Sequence, residues 1–458
     1  MHPDAFRPQP KPTNGHQFGA YLNCPRKAWF NYHATSALKA PVPLALRAMQ
    51  QEGLQYEKEV IERQYAGAFE VTGQTEAERL VQTEKAMRGG EPVILQAQLL
   101  GPERVGVADI LERVASGPGY RLGHLYQVGD IKSSKTVTLH NLLQIGWYSR
   151  LLTGLQGTAP ERAFLIMGDG RREEVEVALV ETILRETYYD LMAVRRLAWE
   201  ELNEKHPPVL SRNCMTCQYR YECMPRVQAA DSLSLLPDLG AHRLAHLKAH
   251  GLHTWRDLAL CSDAQLEELE FSDVEIQRSR EAIERLRQGR VLFRKKLRDD
   301  LFRKTALATL ELKKQPEGYR AIALVYRIGQ NTYRAPITYD EWEQPQFELP
   351  TKLQNRRLIL YGLDYATLRK ILRQTKQLDL VTLFDVFSFI EKYVHAPLPG
   401  LELGELHAYL RGDQEYFALR DTANTSLTAE EYARQRLETL TEVARWLHEN
   451  LASLPVRV

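Results

Sequence analysis

Two aspartates and one lysine in the first half of the chain have the types and spacing of a metal-dependent hydrolytic site. In D-I-K, Asp130 and Lys132 fall on one face of a strand, because strand side chains alternate. Asp109 lies on an earlier strand, and the S-G-P-G turn between the strands predicts a hairpin that brings Asp109 close to the position opposite Asp130. A carboxylate on an apolar strand face is costly unless it is paired or bound to a metal.

This grouping predicts the ligands that phosphodiester hydrolysis needs. Carboxylate oxygens hold Mg²⁺ or Mn²⁺, and the metal polarises the phosphate and supplies a hydroxide-like nucleophile. A nearby lysine, here Lys132, positions the water or stabilises developing charge. Glu57 is a further candidate ligand, since it falls on the apolar side of its helix. Gln144 and Tyr148 are spaced i, i+4 and therefore project from one helix face.

Each of these elements has a plain structural alternative when it is taken alone. D-x-K is more often an exposed ion pair on a strand. Glu57 alone fits a solvated position, and Gln144 with Tyr148 alone fits a helix surface. The order of the elements along the chain favours the site: helix glutamate, strand aspartate, turn, strand D-x-K, and helix Q-x3-Y.

Four of the five cysteines have the arrangement of a metal-binding set. Cys24 stands alone in N-C-P-R, whereas Cys214, Cys217 and Cys223 form C-x2-C-x5-C. Four thiolates suit an iron–sulfur cluster or a structural zinc. Unrelated buried cysteines are the alternative, which fits Cys24 better than the trio. Cys261 is expected to be a core cysteine.

The order of the acidic elements resembles the PD-(D/E)XK nuclease superfamily, especially its RecB-like branch, over about residues 16–226. The matching segments are G-L-Q-Y-E at 53–57, A-D-I-L at 108–111, D-I-K at 130–132 and Q-I-G-W-Y at 144–148. The resemblance implies that Asp109 and Asp130 bind metal, that Lys132 orients the attacking water, and that the Q-x3-Y pair faces a DNA strand or braces the site. Many relatives carry a metal-binding histidine just before the helix glutamate, where this chain has Tyr56.

The cysteine pattern resembles the iron-staple nucleases, namely the CRISPR-associated RecB-like exonucleases and the AddB-type helicase–nuclease subunits. In those proteins one cysteine precedes the nuclease core and three follow it. The resemblance implies that Cys24, Cys214, Cys217 and Cys223 hold a 4Fe-4S cluster, which would close a loop of nearly the whole domain. Iron–sulfur is favoured over zinc, because zinc sites more often pair C-x2-C with a second close pair.

Length and composition set the scale of the molecule. The chain has 458 residues, enough for two to four domains, with 44% hydrophobic and 26% charged residues, which excludes a mainly disordered chain. Lys plus Arg is 60 and Asp plus Glu is 59, so bulk charge gives no argument for nucleic acid and any such site must be local. No apolar run long enough to span a bilayer and no signal-peptide h-region is apparent, so a cytoplasmic protein without membrane association is expected.

An α/β (α+β) fold with three domains is expected. Residues 16–228 form the PD-(D/E)XK nuclease with its 4Fe-4S staple, 229–290 a small helical hairpin resembling helix-hairpin-helix modules, and 291–458 an α/β domain weakly resembling the RNase H-like fold. A plain helical linker is the alternative for the second. The basic run at 285–304 fits either phosphate contact or a solvated helix face.

The C-terminal domain is expected to be inactive. The RNase H-like chemistry needs about four converging carboxylates. In T-L-E, Thr309 replaces one acid and Glu311 remains. Thr382 stands where a later acid is expected, with Asp385 near it, and Glu438 is only adjacent to the position of the last acid.

The sequence therefore predicts a metal-dependent deoxyribonuclease in DNA processing or defence, acting on single strands or strand ends and as an exonuclease rather than an endonuclease. The alternative is a DNA-binding subunit with a weak or silent nuclease site. By analogy, its protein partner would be a helicase, an Argonaute or a CRISPR adaptation protein.

Overall fold

The chain folds into two compact units. The structure, a computed structural model, describes residues 5–40, 44–236, 239–288, 304–315, 318–393, 402–411 and 427–451. Unit one comprises Met1–Lys39 and Met49–Pro207, and unit two comprises Ala40–Ala48 and Pro208–Val458. Both units combine helices with a mixed sheet, which confirms the expected α/β class. The finer division at residues 228 and 290 stays a prediction.

Unit one is built around a six-stranded sheet whose strands follow their chain order. Its strands are β1 Phe69–Glu70, β2 Val93–Gly101, β3 Arg104–Ser116, β4 His124–Ile131, β5 Arg162–Ile166 and β6 Arg172–Glu176. Its helices are α1 His16–Asn23, α2 Pro25–His33, most of α3 Leu44–Gln64, α4 Glu76–Gly89, α5 Leu139–Gln156, α6 Val177–Arg195 and α7 Trp199–Lys205. α6 and α7 are separate helices, because the chain leaves the helical conformation over residues 196–198.

The hairpin predicted from the S-G-P-G turn is present between β3 and β4. β2, β3 and β4 form an antiparallel meander, and β5 and β6 form a second hairpin. β4 pairs with β5 in parallel, so the chain must cross between their ends, and α5 makes that crossing. α5 begins at a reciprocal cap between Thr138 and Asn141 and ends at Gly157, whose φ is +81°. Its central residues are buried in the core.

Unit two begins with five helices and continues into a five-stranded sheet. The helices are α8 Arg220–Ala229, α9 Ala241–Ala249, α10 Trp255–Leu260, α11 Asp263–Glu268 and α12 Asp273–Gln288. The sheet has the order β13-β12-β7-β8-β9, from β7 Thr305–Gln315, β8 Gly318–Ile328, β9 Asn331–Pro336, β12 Arg357–Leu360 and β13 Thr382–Asp385. A separate hairpin joins β10 Thr338–Tyr339 to β11 Pro345–Gln346. The remaining helices are α13 Leu363–Gln374, α14 Val386–Tyr393, α15 Leu403–Leu410 and α16 Ala429–Leu451.

The first helices of unit two share one apolar core with its C-terminal helices. Leu247 and Leu258 from the early helices lie in the same buried cluster as Val386, Leu406 and Val443. Most of the basic run predicted at 285–304 lies outside the described residues. Within the part of the chain that the structure describes, no helix has the length and apolar character to cross a membrane.

Candidate active site

Three polar residues stand side by side across the central strands of unit one. Leu95 pairs with Ile110, and Ile110 pairs with Gly129, so the register places Gln96, Asp109 and Asp130 in one row across β2, β3 and β4. The approach of Asp109 to Asp130 predicted from the hairpin is therefore present. The row lies at the end of β4, where the chain leaves the sheet toward α5.

Asp130 and Lys132 form an ion pair. Asp130 is only 1% exposed, and the Lys132 ammonium contacts its Oδ2 atom. Among the residues that the structure describes, none donates a hydrogen bond of normal geometry to that oxygen, so the contact with the ammonium is electrostatic. The Lys132 backbone N–H donates to the Ile166 carbonyl at 2.8 Å and fixes the residue beside β5. A buried carboxylate is thus matched by one half-buried lysine.

The Asp109 carboxyl is buried beside two other acidic side chains, Asp130 and Glu57. Its Oδ2 atom accepts a hydrogen bond of 2.8 Å from the Ile131 backbone N–H. Burial raises the pKa of Asp109 well above its ordinary value, and the neighbouring charges of Asp130 and Glu57 raise it further. These carboxyls are therefore close enough to repel one another, and a cation would relieve that repulsion.

Glu57 reaches the site from α3. Its Oε1 atom accepts a hydrogen bond of 2.7 Å from the Gln96 side-chain amide. Burial raises the pKa of Glu57, the hydrogen bond from Gln96 lowers it, and the charge of Asp130 raises it again. The Gln96 backbone has a φ of +54°, and its carbonyl accepts a hydrogen bond from Arg79 Nη2 at 3.1 Å. A non-glycine residue in this left-handed conformation is strained, as residues at functional sites often are.

Tyr56 is the residue before Glu57 on α3. Its hydroxyl donates a short hydrogen bond to the Met167 carbonyl, in the turn between β5 and β6. Tyr56 therefore ties α3 to this turn. Gly168, the next residue, donates its N–H to the Ser134 carbonyl at 2.8 Å, so the same turn supports the loop after Lys132.

Gln144 and Tyr148 are buried, which favours bracing over contact with a DNA strand. Gln144 Nε2 donates to the Tyr148 hydroxyl at 3.0 Å, and the two residues are 3% and 4% exposed. Gly15 lies against both, since a Cβ atom there would stand 2.9 Å from Gln144 Cγ and 3.2 Å from Tyr148 Cε1. Burial raises the pKa of Tyr148, and the charge of Asp130 adds to the effect.

Sequence reasoning missed three residues around the site. Gln96 could have been noticed as a polar residue inside the apolar strand V-I-L-Q-A-Q-L-L. His16 and His140 lie with their ring centroids 6.5 Å apart. Burial lowers the pKa of His140, and the charge of Lys132 lowers it further. No sequence pattern indicated these histidines, because they come from helices 124 positions apart in the chain.

The carboxylates fit an oxygen-ligated cation in chemistry but are engaged with protein partners. Glu57, Asp109 and Asp130 are hard oxygen ligands, the type that Mg²⁺ and Mn²⁺ prefer, and their mutual repulsion favours a cation. Each is held by a different group: Gln96, the Ile131 N–H and Lys132. Among the described residues, no three His, Cys, Asp or Glu side chains form a group ready to hold a metal ion.

The cysteines of the predicted cluster belong to both units. Cys24 is the residue before α2 in unit one. In unit two, Cys214 and Cys217 close a 3-10 turn, in which the Cys217 N–H donates to the Cys214 carbonyl at 3.2 Å, and Cys223 lies within α8. None of the five cysteines, all of them described, forms a disulfide. The thiols have the chemistry for a cluster, but the trio does not form a group ready to hold a metal.

In unit two Arg436 compensates the buried acid Asp364. Asp364 is 1% exposed and accepts hydrogen bonds from the Thr309 hydroxyl at 2.6 Å and from Arg436 Nη1 at 3.0 Å. Glu311 is paired with Arg334 at 2.7 Å. Asp385 accepts the Gly362 N–H at 2.8 Å and caps α14.

The remaining positions of the expected C-terminal site, Thr382 and Glu438, lie at the surface. Thr382 and Glu438 are exposed, Thr382 at the start of β13 and Glu438 on α16. The acids of this unit that were singled out from the sequence are therefore engaged in pairs and caps or lie at the surface.

No protein-family description matches this chain, and no curated protein sequence matches it. A functional assignment therefore depends on the geometry and chemistry of the site.

Proposed function

We propose that unit one is a metal-dependent nuclease that hydrolyses phosphodiesters in DNA. One observation carries the proposal: Glu57, Asp109 and Asp130 converge from α3, β3 and β4 beside Lys132, with the carboxyls close enough to raise the pKa of Asp109. Buried, mutually repelling carboxylates are costly to a fold, and they are typical of sites that bind cations or transfer protons.

Each residue of the site would have a defined role in metal binding or cleavage. Asp109 and Asp130 would hold Mg²⁺ or Mn²⁺, with Glu57 as a third ligand oriented by Gln96. When bound, the metal polarises the phosphate and activates water. Lys132, which contacts Asp130, would place its ammonium beside the attacking water or the developing negative charge. Gln144 and Tyr148 hold α5 against the Gly15 loop and so fix the wall of the site.

The proposed substrate is a single strand or a strand end, cleaved as an exonuclease does. The net charge of +1 provides no general attraction for a duplex, so local groups must guide the strand. His16, whose pKa the nearby charge of Lys132 lowers, is the local candidate for phosphate contact.

We also propose that Cys24, Cys214, Cys217 and Cys223 hold a 4Fe-4S cluster, with zinc as the competing metal. Four thiolates are the soft ligands that both metals accept. The buried ion pair between Arg220 and Glu405, at 2.7 Å, anchors the cysteine-bearing segment to α15 within unit two. Anaerobically purified protein with visible iron–sulfur absorbance supports the cluster, and colourless protein with bound zinc contradicts it.

A second candidate is a DNA-binding subunit whose nuclease is weak or silent. Two observations favour it: Lys132 neutralises Asp130, and Arg436 pairs with the buried acid of unit two. A helicase, an Argonaute or a CRISPR adaptation protein would be the partner on this reading.

Cleavage of end-labelled single-stranded DNA, duplex DNA and RNA tests the proposal. The protein is purified without oxygen and assayed with Mn²⁺, Mg²⁺ and EDTA, beside Asp130→Asn. Metal-dependent cleavage by the wild type that Asp130→Asn lacks supports the nuclease and identifies its substrate. No cleavage by folded, metal-supplied wild type overturns it and favours the binding subunit.

A further inference from the structure

An arginine of α4 bonds to the backbone of the strand that carries Gln96. Arg79 Nη2 donates a hydrogen bond of 3.1 Å to the Gln96 carbonyl. The Arg79 Nε atom is buried, and none of the residues that the structure describes accepts a hydrogen bond from it. Burying a polar atom without a partner costs free energy. The fold therefore holds this guanidinium against Gln96 at a cost.

The backbone of β2 reverses its orientation at Gln96. Before it, the Leu95 carbonyl accepts the Val71 N–H at 3.1 Å, and after it, the Gln98 N–H donates to Thr83 Oγ1 at 3.0 Å. Both bonds are directed outside the ladder between β2 and β3. Residues three apart in a regular strand bond on opposite edges. The left-handed φ of +54° at Gln96 accounts for the reversal.

This conformation is unfavourable for a residue with a Cβ atom and needs support from the surrounding structure. A backbone carbonyl that leaves a strand ladder also needs another donor. Arg79 meets both needs, because its guanidinium bonds to the Gln96 carbonyl in the reversed orientation. The Gln96 side chain starts from the same Cα atom and donates to Glu57 Oε1 at 2.7 Å. Two hydrogen bonds therefore connect Arg79 to Glu57 through Gln96.

The helix that carries Arg79 is itself fixed to β2. Thr83, one turn later on α4, is fully buried and donates to the Arg79 carbonyl at 2.9 Å while it accepts the Gln98 N–H. Gly73 lies beside the arginine, since a Cβ atom there would stand 3.1 Å from Arg79 Cγ. The guanidinium thus extends from a helix that the strand holds in place.

We propose that Arg79 is a positioning residue for Glu57 and acts through Gln96. Arg79 holds the Gln96 backbone in its left-handed conformation, and the Gln96 amide then holds the Glu57 carboxylate beside Asp109 and Asp130. The inference rests on the proposed nuclease, because Glu57 is one of its metal ligands. Hydrogen bonds that orient metal ligands are typically needed for full metal affinity.

Binding of Mn²⁺ to the full chain without DNA, measured by titration calorimetry, tests this inference. Arg79→Met removes the hydrogen-bond donors and keeps an unbranched side chain, whereas Arg79→Lys keeps a cationic donor. Arg88→Met is the matched control, because Arg88 lies on the same helix and its exposed side chain pairs with Glu84 at 3.7 Å. Thermal melts establish that all variants are folded.

We expect Arg79→Met to raise the Mn²⁺ dissociation constant by about tenfold, Arg79→Lys to recover most of the loss, and Arg88→Met to match wild type. Arg79→Met combined with Gln96→Ala should bind no more weakly than Gln96→Ala alone, since both residues act along one path. Wild-type affinity in Arg79→Met, or losses that multiply in the double variant, overturns the inference.

Failure of the proposed nuclease gives a different result, in which wild type itself binds no Mn²⁺. The backbone carbon-13 chemical shifts of Gln96 in metal-free protein then decide the role of Arg79. Loss of the left-handed shifts in Arg79→Met, with Arg88→Met unchanged, supports the hold of Arg79 on Gln96. Unchanged shifts in Arg79→Met overturn it.

Discussion

Gln96 donates a hydrogen bond of 2.7 Å to Glu57 and so joins the strained strand β2 to the helix α3. The register places Gln96 next to Asp109, so one amide orients a proposed metal ligand beside the second. The hydrogen bond therefore holds a third carboxylate, that of Glu57, beside the two aspartates of the hairpin.

We expect Gln96→Ala to weaken metal binding without abolishing the fold. Residues that orient metal ligands typically contribute about 10- to 100-fold in metal affinity or activity. The Mn²⁺ concentration for half-maximal cleavage should rise by that factor. Gln55→Ala is the control, since Gln55 is exposed on α3, the helix of Glu57, and its side-chain amide donates to Glu59. An unchanged Mn²⁺ requirement would show that Glu57 is not a ligand.

Asp109→Asn should stabilise the metal-free protein at neutral pH. Folding raises the pKa of Asp109 above its ordinary value of 3.8. At pH values between 3.8 and the raised pKa, the folded state therefore binds more protons than the unfolded state. Stability is therefore lost as pH rises through this window, and asparagine removes the loss. We therefore expect Asp109→Asn to be more stable than wild type at pH 7 when no metal is bound.

Thermal melts at several pH values, with and without Mn²⁺, measure this effect. Wild type should gain stability from Mn²⁺, because a ligand of the folded state shifts the unfolding equilibrium. Asp109→Asn should respond weakly to the metal and should show a flatter pH dependence. A less stable Asp109→Asn in EDTA would mean that the carboxylate is compensated by the protein alone.

Gly168→Ala should displace the loop that follows Lys132 and so disturb the position of Lys132. A Cβ atom at residue 168 would stand 2.0 Å from the Ser133 carbonyl oxygen, so the loop after Lys132 must move. We expect a loss of cleavage rate with a smaller change in metal affinity, because the carboxylates are untouched. Gly170→Ala also strains the turn, at φ +82°, but nothing lies within 4 Å of its Cβ position. Equal rate losses in both variants would contradict a role for the Ser133 contact.

Arg436→Met should destabilise unit two and leave cleavage unchanged. It removes the charged partner of Asp364, which is only 2% exposed in its side chain, and leaves that acid buried and uncompensated. Breaking a buried pair in this way costs about 3–5 kcal/mol. Arg434→Ala, which breaks an exposed pair on the same helix, should cost little. Denaturant unfolding measures both variants, and similar small losses would show that Asp364 needs no cation.

The sequence predicted the parts of the site that are local in the chain. The S-G-P-G turn and strand alternation were sufficient to place Asp109 near Asp130, and the i, i+4 spacing placed Gln144 beside Tyr148. The hydrogen bonds of Tyr56 to Met167 and of Gln96 to Glu57 join distant segments, and no local pattern encodes them. The burial of Gln144 was equally hidden, because it depends on the packing of the Gly15 loop.

The central claim is that Lys132 and its carboxylate neighbours perform the cleavage. The most direct test is the single-turnover cleavage rate of wild type, Lys132→Ala and Lys135→Ala at saturating Mn²⁺. Lys135 is an exposed lysine three residues away and controls for general loss of positive charge. We predict that Lys132→Ala falls by about 100-fold or more while Lys135→Ala stays within a few-fold of wild type. Cleavage by Lys132→Ala at the wild-type rate would contradict the assignment of this site.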